Sequence, residues 1–238
     1  MPNEGKRVTA ARALVEEKKL YGPAAAVALV KQTATAKFDE TVELHLTTGL
    51  DGRHADQQIR GSLTLPHGLG RIMRVVVFAE GEAAALSLQA GADEVGSDEL
   101  IQRVADGYTS FDVALAQREL MGKVGRLGRV LGPRGLMPNP RSGTVLETAD
   151  IARGVREAKS GRVEFRLDRT NLVHVAIGKV SFDDQLLMDN LAALINEIVK
   201  AKPQAAKGQY IRSATLASTM GPGVRVEVGP MLALAAEA

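Results

Sequence analysis

The chain has 238 residues, enough for one large domain or two of ordinary size, and its apolar fraction of 45% can supply their cores. The formal net charge is only +2, so a polybasic coat is excluded and any contact with nucleic acid must be local and shaped. There is no Cys and no Trp, with three Tyr and five Phe, which excludes thiolate metal sites and disfavours binding by stacked bases.

The N-terminal segment MPNEGKRVTAARALVEEKK lacks the continuous apolar run of a secretory signal. No stretch approaches the roughly 18 apolar residues of a membrane span. We therefore expect a soluble, cytoplasmic protein without a membrane partner.

The first part of the chain combines helical composition with strands whose polarity alternates. The predicted elements are helices over Lys6–Leu20 and Ala24–Lys31, the latter with Pro23 in its first turn, and strands over Phe38–Leu46 and Ile59–Leu65. The two strands could pair as antiparallel neighbours across the intervening loop.

The middle of the chain differs, because its strands are short continuous apolar runs, typical of a parallel sheet covered on both faces. The predicted elements are strand Ile72–Ala79, helix Glu82–Ala90, strand Asp93–Val95, helix Ser97–Ala105, strand Phe111–Leu115 and helix Thr148–Lys159. This order predicts a small parallel α/β unit.

Strands with alternating apolar and polar residues return after Ser160-Gly161. The predicted elements are strands over 163–167 and 173–177 joined by a turn at Arg169-Thr170-Asn171, helix Asp183–Lys202, and strands Tyr210–Ser218 and Val224–Val228. The alanine-rich end, Met231 to Ala238, is expected to fray.

These patterns predict an α/β protein with a discontinuous α+β domain, residues 1–67 and 160–238, into which a parallel α/β domain, residues 68–159, is inserted. The chain passes between the two domains twice, and these two adjacent connections suggest a hinge at Pro66, His67, Gly68, Ser160 and Gly161. A linear two-domain chain is the alternative, but it would leave 38–65 as a lone hairpin, and lone hairpins are marginal.

The stretch from Met121 to Val145 contains six glycines and no acidic residue. Its cations are Lys123, Arg126, Arg129, Arg134 and Arg141. Glycine lets backbone approach a ligand closely, and arginine matches phosphate oxygens bidentately, so the stretch suggests contact with a polyanion. A solvated loop acting as the lid of a catalytic site is the alternative.

Catalytic signatures are missing from the sequence. The four histidines have no metal-ligand spacing, and neither a nucleophile elbow nor a phosphate-binding loop occurs. We therefore expect no enzyme activity, no metal and no cofactor.

Two polar segments are better suited to recognition. One begins a strand at Lys37 to Glu43; the other, Ser213 to Gly223, offers hydroxyls and a glycine turn that exposes backbone groups. Such groups can bind the 2′-OH and shallow minor groove of folded RNA, although ordinary exposed strand ends would look the same. Nearby cations that could contact phosphates are Arg162, Arg166, Lys207 and Arg212.

The segment GRLGRVLGPRGLMPNPRSGTV closely resembles the signature of the family of large ribosomal subunit protein one, the protein of the mobile ribosomal stalk. Further similar segments, in the family's order, are KFDETVEL, ADQQIRGSLTLPHGLGR, AGADEVG, KSGRVEFRLD and STMGPGVRV. The resemblance covers about residues 1–228. The sequence departs from the commonest family pattern at Gly52, His54 and the turn Arg169-Thr170-Asn171.

The resemblance implies a split first domain that binds large-subunit rRNA and an inserted Rossmann-like second domain. It also implies a part in release of deacylated tRNA from the exit site and repression of the protein's own operon mRNA, with no homo-oligomer. The implied RNA-binding residues are Lys37, Phe38, Thr41, Glu43, Ser213, Thr215, Thr219, Met220 and Gly221. Arg126, Arg129 and Arg134 then become candidates for secondary contacts with stalk RNA or tRNA.

Two other functions remain open on the sequence. One is an enzyme with a phosphate-bearing ligand that uses the Gly/Arg stretch as a lid. The other is a repressor that acts chiefly on messenger RNA.

Overall fold

A computed structural model describes residues 5–16, 18–54, 56–206 and 208–237. The chain forms two compact units. The terminal unit comprises the chain up to Gly70 and from Val163 onward, and the inserted unit runs from Arg71 to Arg162. The chain thus leaves the terminal unit after Gly70 and re-enters it at Val163, compared with predicted domain boundaries at 67–68 and 159–160.

Helices and strands are interspersed along the chain. The strands are β1 Thr41–Thr48, β2 Arg60–Thr64, β3 Val75–Phe78, β4 Glu94–Gly96, β5 Val113–Gln117, β6 Val145–Leu146, β7 Arg162–Arg166, β8 Leu172–Lys179, β9 Ile211–Ser218 and β10 Val224–Val226. The helices are α1 Lys6–Ala13, α2 Pro23–Thr33, α3 Gly81–Gln89, α4 Asp98–Ala105, α5 Met121–Val124, α6 Gly128–Leu131, α7 Ile151–Lys159, α8 Asp184–Lys200 and α9 Val228–Glu237.

The terminal unit is built on an antiparallel sheet in the order β10-β9-β1-β8. Its central strand β1 comes from the front of the chain, and its neighbours come from the back. Val42, Leu44 and Leu46 of β1 are buried on one face, where they join the core that includes residues of α2 and α8. The alternating strands before and after the insertion therefore complete one core, as the discontinuous-domain prediction requires.

The expected pairing of the strands over 38–46 and 59–65 is wrong. Strand β1 has both edges occupied, by β8 and β9, and β2 instead pairs with β7 in a separate two-stranded sheet. Gly61 explains this choice, because a Cβ at that position would lie 2.5 Å from the ring of Phe165 in β7. An ion pair between Arg60 and Glu164 joins the same two strands.

The predicted turn at Arg169-Thr170-Asn171 is confirmed, with Asn171 at φ 67°. The strands that it connects separate almost at once. They share only the isolated bridge between Leu167 and Val173 before β7 joins β2 and β8 joins β1.

Two helix predictions need correction. Helix α1 ends at Ala13, well before Leu20, because its apolar positions are few and only Ala11 is buried. The C-terminal segment does not fray within the described residues, since it forms α9 and its Met231 is fully buried in the core of the terminal unit.

The inserted unit contains the predicted parallel sheet, in the order β4-β3-β5-β6. Strand β3 is buried along its whole length. Val75 and Val77 belong to a core with α3 and α7, whereas Val76 and Phe78 belong to a core with α4 and the segment 120–131. The sheet is therefore covered on both faces, which confirms the Rossmann-like α/β class.

The segment proposed as one strand of a hinge is held within the terminal unit. The side chain of Asn190 on α8 accepts a hydrogen bond from the His67 amide at 3.1 Å and donates one to the Gly68 carbonyl at 3.1 Å. The His67 ring also contacts Asp189 at 2.9 Å. Ser160 follows α7, and Gly161 adopts a φ of 91°. The hinge role of Pro66, His67, Gly68, Ser160 and Gly161 stays a prediction.

In the described ranges, no helix combines the length and the apolar character needed to cross a membrane.

Candidate nucleic-acid interface

The sheet of the terminal unit has one face that its helices do not bury. We call it the open face. The register places Glu43 beside Ala217, His45 beside Thr215, and Thr47 beside Ser213. One row crosses all four strands, and its members are Arg225, Thr215, His45 and His174. The open face thus offers hydroxyls, imidazoles and a guanidinium in a shallow, solvent-accessible array.

Two loops lie together at one end of the open face, and a buried carboxylate joins them. Glu40 is only 2% exposed. Its Oε1 accepts a hydrogen bond from the Ala36 amide at 2.8 Å, and its Oε2 accepts one from the Met220 amide at 2.8 Å. The loops before β1 and after β9 are therefore fixed to the same side chain.

Thr219 and Thr41 reinforce this junction. The Thr41 amide donates to the Thr219 hydroxyl at 2.9 Å, and the Thr219 amide donates to the Thr41 carbonyl at 3.0 Å. Next to these anchors, the side chains of Phe38 and Met220 are 55% and 50% exposed. Two large apolar side chains held in solvent by a rigid frame are suited to contact a partner.

The junction keeps Glu40 ionised. Burial alone would raise the pKa of this carboxyl group, but the amides of Ala36 and Met220, together with Ser218, hold its pKa below the ordinary value. Because both oxygens accept backbone hydrogen bonds, the carboxylate is an integral part of the loop structure. The sequence did not single out Glu40, because this role depends on contacts with two loops that are far apart along the chain.

The open face also carries a histidine pair that the sequence did not reveal. The Nδ1 atoms of His45 and His174 lie 2.7 Å apart, and a carboxylate stands beyond each ring: Glu43 at 3.8 Å from His45 and Asp168 at 3.7 Å from His174. Burial and the adjacent His174 lower the pKa of His45, against the opposite effect of Glu43. Only the strand register brings these residues together, so no local motif could have shown them.

The nine residues implied by the resemblance all lie in the terminal unit. Thr41 and Glu43 lie on β1, and Ser213 and Thr215 lie on β9. Lys37 and Phe38 lie in the loop before β1, whereas the sequence assigned Phe38 to the strand itself. Thr219, Met220 and Gly221 form the turn after β9. Thr41 and Glu43 thus lie with the turn after β9 at one end of the open face, whereas Thr215 lies opposite His45 near its middle and Ser213 lies opposite Thr47 toward its other end.

Lys179 is a cation next to these residues that the sequence did not predict. The Lys179 ammonium donates to the Thr41 hydroxyl at 2.9 Å and to the Asp39 carbonyl at 3.2 Å. Its position next to Thr41 follows from the pairing of β1 with β8.

The four cations predicted around this surface have different positions. Arg212 is exposed beside Ser213, at the start of β9, whereas Arg166 is exposed on β7 in the two-stranded sheet. The Arg162 side chain is only 15% exposed, and its guanidinium donates to the carbonyls of Ser142 and Gly143, which argues against a phosphate contact. Lys207 lies outside the described residues.

The Gly/Arg stretch begins as a structural element of the inserted unit, not as a mobile loop. Residues 118–131 follow a nearly continuous helical path through 3-10 turns, α5 and α6. The buried side chains of this path are Leu120, Val124, Leu127 and Leu131. Because these side chains fill the core, the interpretation of the stretch as a catalytic lid is wrong. Arg126 and Arg129 point to solvent, and Arg134 contacts the Thr109 hydroxyl.

The carboxyl edge of the parallel sheet is where doubly wound proteins usually bind ligands. Here the buried Gln117 amide occupies it, accepting a hydrogen bond from the Glu80 amide at 3.1 Å and donating to Glu119 at 3.1 Å. The nearby Lys123 is paired with Asp98 at 2.9 Å and Glu80 at 3.4 Å. An edge lined by carboxylates and an already paired lysine disfavours a phosphate-bearing ligand.

Comparisons with known proteins agree on one family. Residues 30–222 match the model of the ribosomal protein L1p/L10e family. The chain is 59% identical over 229 residues to large ribosomal subunit protein uL1 of Chloroflexus aggregans, covering 96% of this chain and 97% of the relative. It is 58% identical to the protein of that name from Chloroflexus aurantiacus, over 95% of this chain and 96% of the relative. For the uL1 protein of Dehalococcoides mccartyi the identity is 50%, over 98% and 99% of the two chains.

Proposed function

The chain belongs to the ribosomal protein L1p/L10e family, and on this basis we propose that it is a structural RNA-binding protein of the large ribosomal subunit. The family is not enzymatic. As a ribosomal component the protein works in the cytoplasm, and its partner is the rRNA of the stalk region.

The observation that carries this proposal is the junction of two loops at the end of the open face. Glu40 and Thr219 hold exposed Phe38 and Met220 in the loops beside Thr41, and Thr215 follows farther along the same face, opposite His45. Hydroxyls, bare backbone and rigid apolar side chains recognise RNA by shape and by its 2′-OH groups, with little need for net charge. Glu43 accepts a hydrogen bond from a 2′-OH or a base amino group in this arrangement.

Two further roles belong to the proposal. The protein takes part in release of deacylated tRNA from the exit site, and the exposed Arg126, Arg129 and Arg134 supply secondary contacts with stalk RNA or tRNA. It also represses its own operon by binding a similar structure in the messenger RNA. Competition between ribosomal and messenger RNA fragments measures the relative weight of the two roles, and tighter binding to the ribosomal fragment is expected.

The first test is co-sedimentation with large ribosomal subunits, followed by footprinting of the protected RNA. The protected fragment is then titrated in a filter-binding assay with the wild type and with Met220→Asp. We expect the substitution to weaken binding at least tenfold, because it places a charge at the centre of the junction.

Leu88→Asp is a matched control, since Leu88 is 58% exposed and belongs to the inserted unit, which does not contribute to the open face. A folded Met220→Asp protein with unchanged affinity would rule out the proposed surface. Saturable micromolar binding of nucleotides or sugar phosphates, with turnover, would instead restore the enzyme hypothesis.

A further inference from the structure

A polar cavity lies in the terminal unit beside the candidate interface. It is a cleft of about 560 Å³ between the end of α1 and the turn before β10. Its apolar lining is Val15 and Pro222, and its cations are Arg12, Lys18 and Arg225. A cleft of this size falls within the range of about 300 to 1,000 Å³ typical of small-ligand sites.

The cleft is continuous with the open face. Arg225 lines the cleft and also pairs in register with Thr215, a member of the row that crosses the sheet. Pro222 and Gly223 directly follow the turn that carries Met220 and Gly221. A Cβ on Gly223 would lie 2.9 Å from the Thr215 methyl group, so bare backbone is required where the two surfaces meet.

The charges of the cleft favour an anion. Among the described residues that line the cleft, Glu16 is the one carboxylate, and it already pairs with Lys19 at 2.8 Å. Neither Lys18 nor Arg225 forms an ion pair with a carboxylate within the part of the chain that the structure describes. Both side chains are exposed, so they can reach a ligand without breaking an existing contact.

We propose that this cleft holds one nucleotide of the RNA strand that continues past the turn Thr219–Gly221. Lys18 and Arg225 bind its phosphates, while Val15 and Pro222 pack against its ribose or base. The inference rests on the proposed RNA-binding function, but none of these four residues belongs to the set implied by the family resemblance. It adds an electrostatic contact to a surface that otherwise recognises RNA by shape.

The test is a salt titration of the footprinted RNA fragment with the wild type and with the double variant Lys18→Gln, Arg225→Gln. Each lost phosphate contact reduces the slope of log K against log salt by about 0.7 for single-stranded RNA, so we expect about 1.4 for the pair. In footprinting, the variant should lose protection at one end of the protected segment and keep it at the centre. Lys202→Gln, an exposed lysine after α8, controls for the change in charge.

An unchanged slope together with an unchanged footprint overturns the inference and leaves the proposed function intact. Failure of the wild type to bind the fragment overturns both. Should the Arg225 substitution destabilise the short strand β10, Lys18→Gln alone provides the test, because Lys18 lies outside the sheet. Its slope should then fall by about 0.7.

Discussion

At the scale of single residues, Glu40 fixes the positions of side chains that it does not itself touch. Its carboxylate accepts hydrogen bonds from the backbone amides of Ala36 and Met220, one from each loop of the junction. In Glu40→Gln, the new amide group would place a donor against one of these N–H groups. Leaving a buried backbone donor unpaired costs about 1–3 kcal/mol.

We therefore expect Glu40→Gln to bind the RNA fragment about tenfold more weakly, equivalent to about 1.4 kcal/mol. If Glu40 acts by positioning Met220, its effect should be non-additive with Met220→Ala in a double-mutant cycle. The measurement is fragment affinity of the two single variants and the double variant, alongside their unfolding free energies. Glu197→Gln, on the exposed side of α8, serves as the control, and full additivity would refute the positioning role.

The histidine pair makes the stability of the folded protein depend on pH, and the direction of that dependence follows from the lowered pKa of His45. Burial and His174 lower the pKa of His45 in the folded state, whereas in the unfolded chain it has the ordinary value of about 6.5. The unfolded state therefore binds more protons near and below pH 6.5, and stability falls as the pH decreases through this range.

Urea unfolding between pH 8 and pH 5.5 should show this decrease for the wild type and a smaller one for His45→Gln. His54→Gln, in the exposed loop after β1, should retain the wild-type dependence. Equal pH profiles for the wild type and His45→Gln would show that the pair does not influence stability.

At the scale of elements, the sequence predicted which face of a strand is buried more reliably than it predicted which strands pair. Alternation along β1 correctly predicted its buried face, because burial follows the pleat. It could not predict that β2 pairs with β7, since that choice depends on the space that Gly61 leaves for Phe165. The residues of the candidate site were collected through family resemblance, whereas Glu40, Lys179 and the histidine pair emerge only from long-range register and loop contacts.

The structure of the Gly/Arg stretch was also difficult to predict from the sequence. The spacing of Leu120, Val124, Leu127 and Leu131 is helical, but the glycines between them suggested a loop. Burial of these four side chains decides in favour of a structural element. Its arginines are then left on the outer side, available for a separate role.

We therefore expect the triple variant Arg126→Gln, Arg129→Gln, Arg134→Gln to keep the fold and the affinity for the isolated RNA fragment. Its defect should be in release of tRNA from the exit site of reconstituted ribosomes. Leu127→Ala, on the inner side of the same segment, should instead lower the free energy of unfolding by about 2–5 kcal/mol. Collapse of fragment binding in the triple variant would contradict the division of roles between the two units.

At the scale of the whole molecule, the two kinds of strand pattern correspond to the two compact units. The half-buried alternating strands build the antiparallel sheet of the terminal unit, and the continuous apolar strands build the parallel sheet of the inserted unit. The discontinuous arrangement was predictable because a lone hairpin could not have buried the apolar face of β1. The positions of the open-face residues relative to one another required the sheet order itself.

This separation predicts where bound RNA protects the protein from hydrogen exchange. Ligand binding slows exchange chiefly in the cooperative unit that it contacts. With the footprinted fragment bound, amides at 36–48 and 211–221 should exchange more slowly, whereas those of β3 and α7 in the inserted unit should be unchanged. Met220→Asp, at RNA concentrations that saturate the wild type, should lose this protection. Strong protection at 121–131 with the same fragment would place the primary RNA contact on the Gly/Arg stretch, and the junction formed by Glu40 and Thr219 would then have only a structural role.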